Sequence, residues 1–125
     1  MNEEFKKHIT GLTEYLKECG WNISPYPSLI VRRDNAEASS LFGKTAYYEP
    51  VSKTVVLYTA GRHPKDILRS YAHEMIHRIQ DNEGRLNNIG TTNTNEDGHL
   101  EDIEKEAYQK GNIMLRNWED SIKNV

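Results

Sequence analysis

The sequence lacks the cysteines that a disulfide or a cysteine-based metal site requires. Its single cysteine, Cys19, has no second cysteine in the chain to pair with, and zinc or iron–sulfur sites built from several cysteines are excluded for the same reason. Any metal site in this chain must therefore use other ligands. This cysteine usage is typical of a reducing compartment, and we expect a cytoplasmic protein.

The chain also lacks an excess of positive charge and a long apolar run. Sixteen Lys and Arg residues stand against nineteen Asp and Glu residues, so the formal net charge is −3 and no basic surplus is present for a nucleic acid. The longest apolar run, at 55–60, is far shorter than the roughly 20 residues that span a bilayer. Residues 1–7 include acids and precede no apolar stretch, so no signal peptide is predicted. We expect a soluble protein without a nucleic-acid or membrane partner.

Length and patterning predict a single α+β domain over 1–125, because 125 residues are too few for two independent cores. The predicted order is an N-terminal helix, a small and mostly antiparallel sheet, and two further helices. Apolar residues at helical spacing predict helices at about 3–19, from 64 to about 81 or 82, and at about 100–122. A strand is predicted at Ser28–Arg32, a hairpin at 44–48 and 53–59, and polar loops at 34–43 and 85–98.

The second predicted helix carries His73-Glu74-Met75-Ile76-His77. On a helix, His73 and His77 lie ~40° apart around the axis and one turn along it, so both imidazoles can reach one ion. Glu74 projects ~100° away from His73, where it can reach a water beside the ion without binding the ion. Neutral nitrogen ligands, an open position and a carboxylate base are what a hydrolytic zinc site requires. The alternative is that backbone carbonyls or an ion pair satisfy both histidines.

A third ligand is predicted on the last helix. Glu104 falls within ~40° of the centre of that helix's apolar stripe, where a carboxylate must be paired, protonated or bound to a metal. One ion bound by Glu104 and the two histidines would satisfy the carboxylate and both imidazoles. Ala107 and Gly111 would let the two helices approach closely. The alternative is a buried pairing of Glu104 with an Arg or Tyr. The stripe consists of Leu100, Ile103, Ala107, Gly111, Met114, Leu115, Trp118 and Ile122.

Other acidic or imidazole side chains are weaker candidates for the third ligand. Glu83 lies about 15 Å along the helix axis from His73, which is out of reach if the helix continues. Asp97 and His99, in the predicted loop before the last helix, are replacement ligands or partners for the histidine N–H groups.

The chain resembles the zincin metallopeptidases in having an H-E-x-x-H helix followed by a glutamate on a later helix, the gluzincin arrangement. The segment from Ile103 to Tyr108 is similar to the E-x-x-A segment of small ImmA/IrrE-type peptidases, although Tyr108 stands where that family usually has Asn. The resemblance covers about 55–115. It implies a minimal zincin-like fold with His73, His77 and Glu104 as ligands of Zn²⁺ and Glu74 as the base. Small zincin-like proteins also occur in bacteriophage genomes, so the expected setting is a bacterium or a phage-infected host.

The same resemblance implies a role for the strand before the active-site helix. In zincins that strand lies at the edge of the cleft and holds an extended peptide by backbone pairing. Here it would be the strand at 53–59, with unpaired backbone groups available to the substrate. The alternative is an ordinary hairpin that packs Val55 and Leu57 on the second helix.

We therefore predict zinc-dependent hydrolysis of peptide bonds in a protein or peptide substrate. Glu74 would take a proton from the attacking water and pass it to the leaving amine. The first candidate to stabilise the oxyanion is Tyr108, one turn after Glu104, and the second is His99 or Arg85. The alternative function is a catalytically silent subunit with a zincin fold, for binding or structure, for example in a phage particle. The intact Glu74 favours the enzyme, because a structural site needs no base.

Overall fold

The structure, a computed structural model, describes residues 3–32, 46–86 and 98–123. The described chain forms three helices and a three-stranded mixed sheet, which confirms the predicted α+β class. In chain order the elements are α1 (Glu3–Glu18), β1 (Ser28–Arg32), β2 (Ala46–Glu49), β3 (Thr54–Tyr58), α2 (Pro64–Asn82) and α3 (Gly98–Lys123). The loop predicted at 34–43 and most of the loop predicted at 85–98 lie outside the described residues.

Helix α1 buries a single apolar stripe against the rest of the molecule. Phe5, Ile9, Leu12 and Leu16 recur every three or four residues, and all four are buried. The helix ends close to its predicted boundary because Gly20 has a φ of 88°, a left-handed conformation that glycine adopts without side-chain strain.

The sheet has the strand order β1-β3-β2 and combines both kinds of pairing. Strands β2 and β3 form the predicted antiparallel hairpin, with Tyr48 opposite Val55. Strand β1 pairs with β3 in parallel, with Ile30 opposite Val56. This parallel pair is the difference from the mostly antiparallel sheet that the sequence predicted.

The position of β3 corrects the prediction that 53–59 would offer a free backbone edge to a peptide. Strand β3 is central, because β1 pairs with one side of its backbone and β2 with the other. All five of its residues are buried. The alternative holds instead, since Val55 and Leu57 belong to the core cluster that also contains the apolar residues of α2. The edges of the described sheet are β1 and β2.

Helix α2 begins at Pro64, as predicted. Proline at this position lacks an N–H where the helix would leave one unsatisfied, and the Nδ1 atom of His63 caps the helix by accepting a hydrogen bond from the Lys65 N–H at 3.1 Å. The helix ends at Asn82, two residues before Gly84, whose φ is 76°.

Helix α2 is enclosed on several faces, because it packs against α3, β2, β3 and α1. Buried polar side chains accompany the apolar residues of this helix. His77 is 0% exposed. The buried residues of this helix are Ile67, Leu68, Tyr71, Ala72, Glu74, Met75, Ile76, His77, Arg78, Ile79 and Gln80.

Helix α3 packs most of its predicted stripe against α2 and α1. Ile103, Ala107, Met114, Leu115 and Trp118 are buried. Ile122, predicted to continue the stripe, is half exposed. Among the helices in the described ranges, none is long and apolar enough to cross a membrane.

Candidate metal centre

Helix α2 places two imidazoles on one face, as the H-E-x-x-H spacing predicts. The ring centroids of His73 and His77 lie 4.9 Å apart with an interplanar angle of 81°. Their Nε2 atoms are 3.3 Å apart. Both rings therefore direct the same nitrogen at one small region beside the helix.

Helix α3 brings Glu104 to that region. Its Oε2 atom lies 3.1 Å from Nε2 of His73, and its Oε1 atom lies 2.8 Å from Nε2 of His77. The contact with His77 is short, yet Oε1 has no hydrogen-bond partner among the described residues. The two atoms are thus close without being aimed at each other, which is the geometry of ligands that share a central point.

The spacing of these atoms fits a metal ion. Ligand atoms about 2.05 Å from a tetrahedral zinc ion are roughly 3.3 Å from one another. The distance between the two Nε2 atoms matches that value, and the two distances to Glu104 are slightly shorter. His73, His77 and Glu104 can therefore hold a metal ion.

The close packing of α3 on α2 positions the carboxylate, as the small residues of the stripe predicted. Ala107 is fully buried between the helices. A Cβ atom added at Gly111 would lie 3.1 Å from both the Cα and the N of His73, which is closer than carbon atoms normally pack. Glycine at 111 thus allows α3 to touch the backbone of α2 at the first predicted ligand.

The two histidines hold Glu104 in its ionised form. Burial alone would raise the pKa of Glu104, but the two imidazoles beside it lower that pKa to about 2. Burial alone would lower the pKa of His77, but contact with Glu104 and the charge of Glu74 raise it. Glu104 is therefore a carboxylate at neutral pH, the form in which it binds a cation.

Two further residues of the predicted site lie beside the first ligand. The side chain of Glu74 is buried, at 5% exposure, and its charge acts on both His77 and Tyr108. The ring of Tyr108 packs on His73 with 4.3 Å between centroids, while the residue stays 61% exposed. Partial burial and the charges of Glu104 and Glu74 raise the pKa of Tyr108, so its hydroxyl is protonated at neutral pH.

The other candidates are not brought to this site by the described structure. Glu83 caps the C-terminus of α2 and pairs with Arg85 at 3.0 Å. Arg85, the second candidate to stabilise an oxyanion, also pairs with Glu106 at 2.7 Å. Asp97 and the side chain of His99 lie outside the described residues. The Nδ1 atom of His73 is buried and has no hydrogen-bond partner in the described ranges.

Sequence reasoning missed the polar residues that follow the histidines on α2. Gln80 is fully buried, and its Oε1 atom lies 2.7 Å from Nδ1 of His77. Arg78 is also fully buried, and it donates to the carbonyl oxygen of Pro25, to the Tyr48 hydroxyl and to Asp81. The spacing of Gln80 was the available signal. It lies three residues after His77, and residues three apart on a helix are neighbours on its surface, so contact between the two side chains was predictable.

Comparisons with known proteins do not identify the chain: no protein family, no curated protein and no solved structure matches it. The chemistry of the site must therefore be argued from its own geometry.

Proposed function

We propose that this chain binds Zn²⁺ through His73, His77 and Glu104 and hydrolyses peptide bonds, with Glu74 as the general base. The observation that carries the proposal is the convergence of two imidazole nitrogens and a carboxylate at the spacing of metal ligands. Two histidines and one glutamate form the protein ligand set of several hydrolytic zinc enzymes. Imidazole suits zinc better than it suits magnesium or calcium, which is why zinc is the metal proposed.

A zinc ion bound there would supply a Lewis acid that polarises the substrate carbonyl and acidifies water. Glu74, buried next to His73 in the chain, would take the proton of the attacking water and transfer it to the amine that leaves. Tyr108 would donate a hydrogen bond to the carbonyl oxygen as negative charge develops on it. Its exposure leaves the hydroxyl accessible to a substrate, and its raised pKa keeps the donor proton in place.

A second candidate function is a catalytically silent binding or structural subunit. The observation that favours it is that Glu104 lies within ion-pair distance of both imidazoles, so a protonated histidine can satisfy the carboxylate without a metal ion. The silent subunit would not cleave a substrate whether or not it holds zinc, so cleavage separates the two functions. The substrate class, a protein or peptide, comes from the resemblance to zincin peptidases.

Metal analysis of the purified protein tests the ligand set. We expect one zinc ion per chain in the wild type, removed by a strong chelator and restored by dialysis against Zn²⁺. Glu104→Gln should lose the metal, because it removes the only charged ligand of the three. Glu101→Gln is the matched control, since Glu101 is an exposed acid one turn earlier on α3. Wild-type protein that holds no zinc would contradict the proposal and leave the ion-pair cluster as the better account.

Cleavage of an unstructured protein substrate tests the chemistry. Glu74→Gln should keep the zinc and reduce the rate of cleavage by about 10²–10⁴-fold, the usual contribution of a general base. Retained cleavage in Glu74→Gln would exclude Glu74 as the base. Absence of cleavage in a zinc-loaded wild type, across a diverse peptide library, would favour the silent subunit.

A further inference from the structure

Gln80 is the buried polar residue of α2 that connects the proposed metal site to α3. Its side chain is 0% exposed, and each end of its amide meets a specific partner. The Oε1 atom lies 2.7 Å from Nδ1 of His77. The Nε2 atom donates to the carbonyl oxygen of Ile103 at 3.1 Å and to Oε1 of Glu106 at 2.9 Å.

These partners determine the orientation of the amide. The Ile103 carbonyl and the Glu106 carboxylate only accept hydrogen bonds, so the NH₂ group of Gln80 must face them. A rotation of the amide by half a turn would place its oxygen against two other oxygens, at a large electrostatic cost. The oxygen of Gln80 therefore faces His77, and Nδ1 of His77 must carry the proton of that hydrogen bond.

The proton on Nδ1 decides which nitrogen of His77 is available to a metal. In the neutral ring, the other nitrogen, Nε2, then carries the lone pair, and Nε2 is the atom 2.8 Å from Oε1 of Glu104 and 3.3 Å from Nε2 of His73. The hydrogen bond to Gln80 thus presents the lone pair of His77 to the site.

Glu106, which accepts a hydrogen bond from Gln80, is itself held by two basic side chains. The Oε1 atom that accepts from Gln80 also accepts from Nη1 of Arg85 at 2.7 Å, and Lys110 lies 3.4 Å from Oε2 of the same carboxylate. The acceptor for Gln80 is therefore held in place by basic side chains on either side.

We propose that Gln80 is a positioning residue: through its hydrogen bond to Nδ1 of His77, anchored on Ile103 and Glu106 of α3, it sets the ring orientation and the tautomer of His77 that metal binding requires. The inference deepens the proposed zinc site and rests on it. Partners of this kind contribute about 10–100-fold to metal affinity in zinc proteins.

Zinc titration against a chelating indicator, with Gln80→Met, tests the contribution to affinity. Methionine is close to glutamine in size and shape and removes both hydrogen-bonding ends, so we expect the zinc dissociation constant to rise about 10–100-fold. Asn82→Leu is the matched control, because the Asn82 amide also donates to two backbone carbonyls from the same helix but does not touch a histidine. Its dissociation constant should stay within about threefold of the wild-type value, a change of less than about 0.7 kcal/mol.

The exchange of the Nδ1 proton of His77 provides a readout that a loss of stability alone would not move. In ¹⁵N-labelled protein, we expect this proton to exchange slowly with water in the wild type and in Asn82→Leu and rapidly in Gln80→Met, with and without zinc.

The outcomes separate the two proposals. A wild-type protein that does not bind zinc contradicts the proposed function, while proton exchange in the metal-free protein still decides the role of Gln80. Zinc binding by Gln80→Met that equals the wild type overturns the role of Gln80 and leaves the zinc site intact. An Nδ1 atom of His77 that carries no proton in the wild type overturns it as well.

Discussion

Replacement of Gly111 by alanine tests whether the close approach of α3 to α2 builds the proposed site. A Cβ atom at this position would lie 3.1 Å from the Cα and N of His73 and 3.4 Å from the carbonyl carbon of Ala72. These are backbone atoms in the interior of a helix, so they cannot rotate away as the end of a side chain would. Favourable contacts between carbon atoms need about 3.5–4.0 Å. Helix α3 must therefore retreat by roughly 0.5 Å.

Two opposing terms set the size of the effect. Overpacking of this kind costs about 1–3 kcal/mol, whereas alanine is favoured over glycine in a helix by about 1 kcal/mol. Gly111→Ala should therefore lower the free energy of unfolding by about 0–2 kcal/mol. The matched control is Gly11→Ala in α1, where an added Cβ would lie at an ordinary 3.5 Å from the ring of Trp118. That variant should gain up to about 1 kcal/mol, so the two differ by the cost of the clash.

Urea unfolding of the metal-free proteins measures this difference. Zinc titration of the same proteins measures its consequence, because a displaced α3 carries Glu104 away from the histidines. We expect weaker zinc binding by Gly111→Ala and unchanged binding by Gly11→Ala. Equal stabilisation by both alanines would show that α3 does not touch α2 as closely as the distances indicate, and the reasoning would be refuted.

Three further predictions concern other contacts of the site and the core. Arg78→Met should cost about 3–5 kcal/mol in urea unfolding, because it removes the buried cation that pairs with Asp81 and donates to the Pro25 carbonyl oxygen. Lys53→Met, which removes an exposed partner of Asp81, should cost less than about 1 kcal/mol, and similar losses would contradict this. Tyr108→Phe should bind zinc normally and cleave roughly 10²-fold more slowly, and unchanged cleavage would remove Tyr108 from the mechanism. The metal-free protein should lose stability as the pH falls from about 4.5 towards 2, because the pKa of Glu104 is about 2 in the folded protein and its ordinary value is 4.5. A Glu104→Gln variant whose acid unfolding curve matches that of the wild type would contradict this.

The elements of the fold were largely predictable because their signals are local. The strand Ser28–Arg32 has the predicted bounds, and α2 begins at the predicted Pro64 and ends at Asn82, one of the two predicted end residues. A proline at the first helical position and a glycine two residues after the last act within a few residues of the boundary they mark. Such signals need no knowledge of the rest of the molecule.

The order of the strands was not predictable from the same kind of signal. The run at 53–59 has the composition of a buried strand whether it lies at the edge or at the centre. Its central position depends on β1, which pairs with it in parallel from more than twenty residues earlier in the chain. The choice of pairing partner is a long-range property, so the predicted free edge was wrong although the strand itself was correct.

Some features of the candidate site were predictable from local sequence, and others depend on contacts between distant parts of the chain. The spacing of His73 and His77 is a property of one helix, and Glu104 was identifiable because a carboxylate inside an apolar stripe is costly unless something compensates it. The identity of the compensating group requires the packing of α3 on α2. Gln80 illustrates the limit, because nothing near it in the sequence indicates that this polar side chain is buried. A buried charge can thus be found in a sequence as an anomaly, whereas its hydrogen-bond partners become visible only when the helices are assembled.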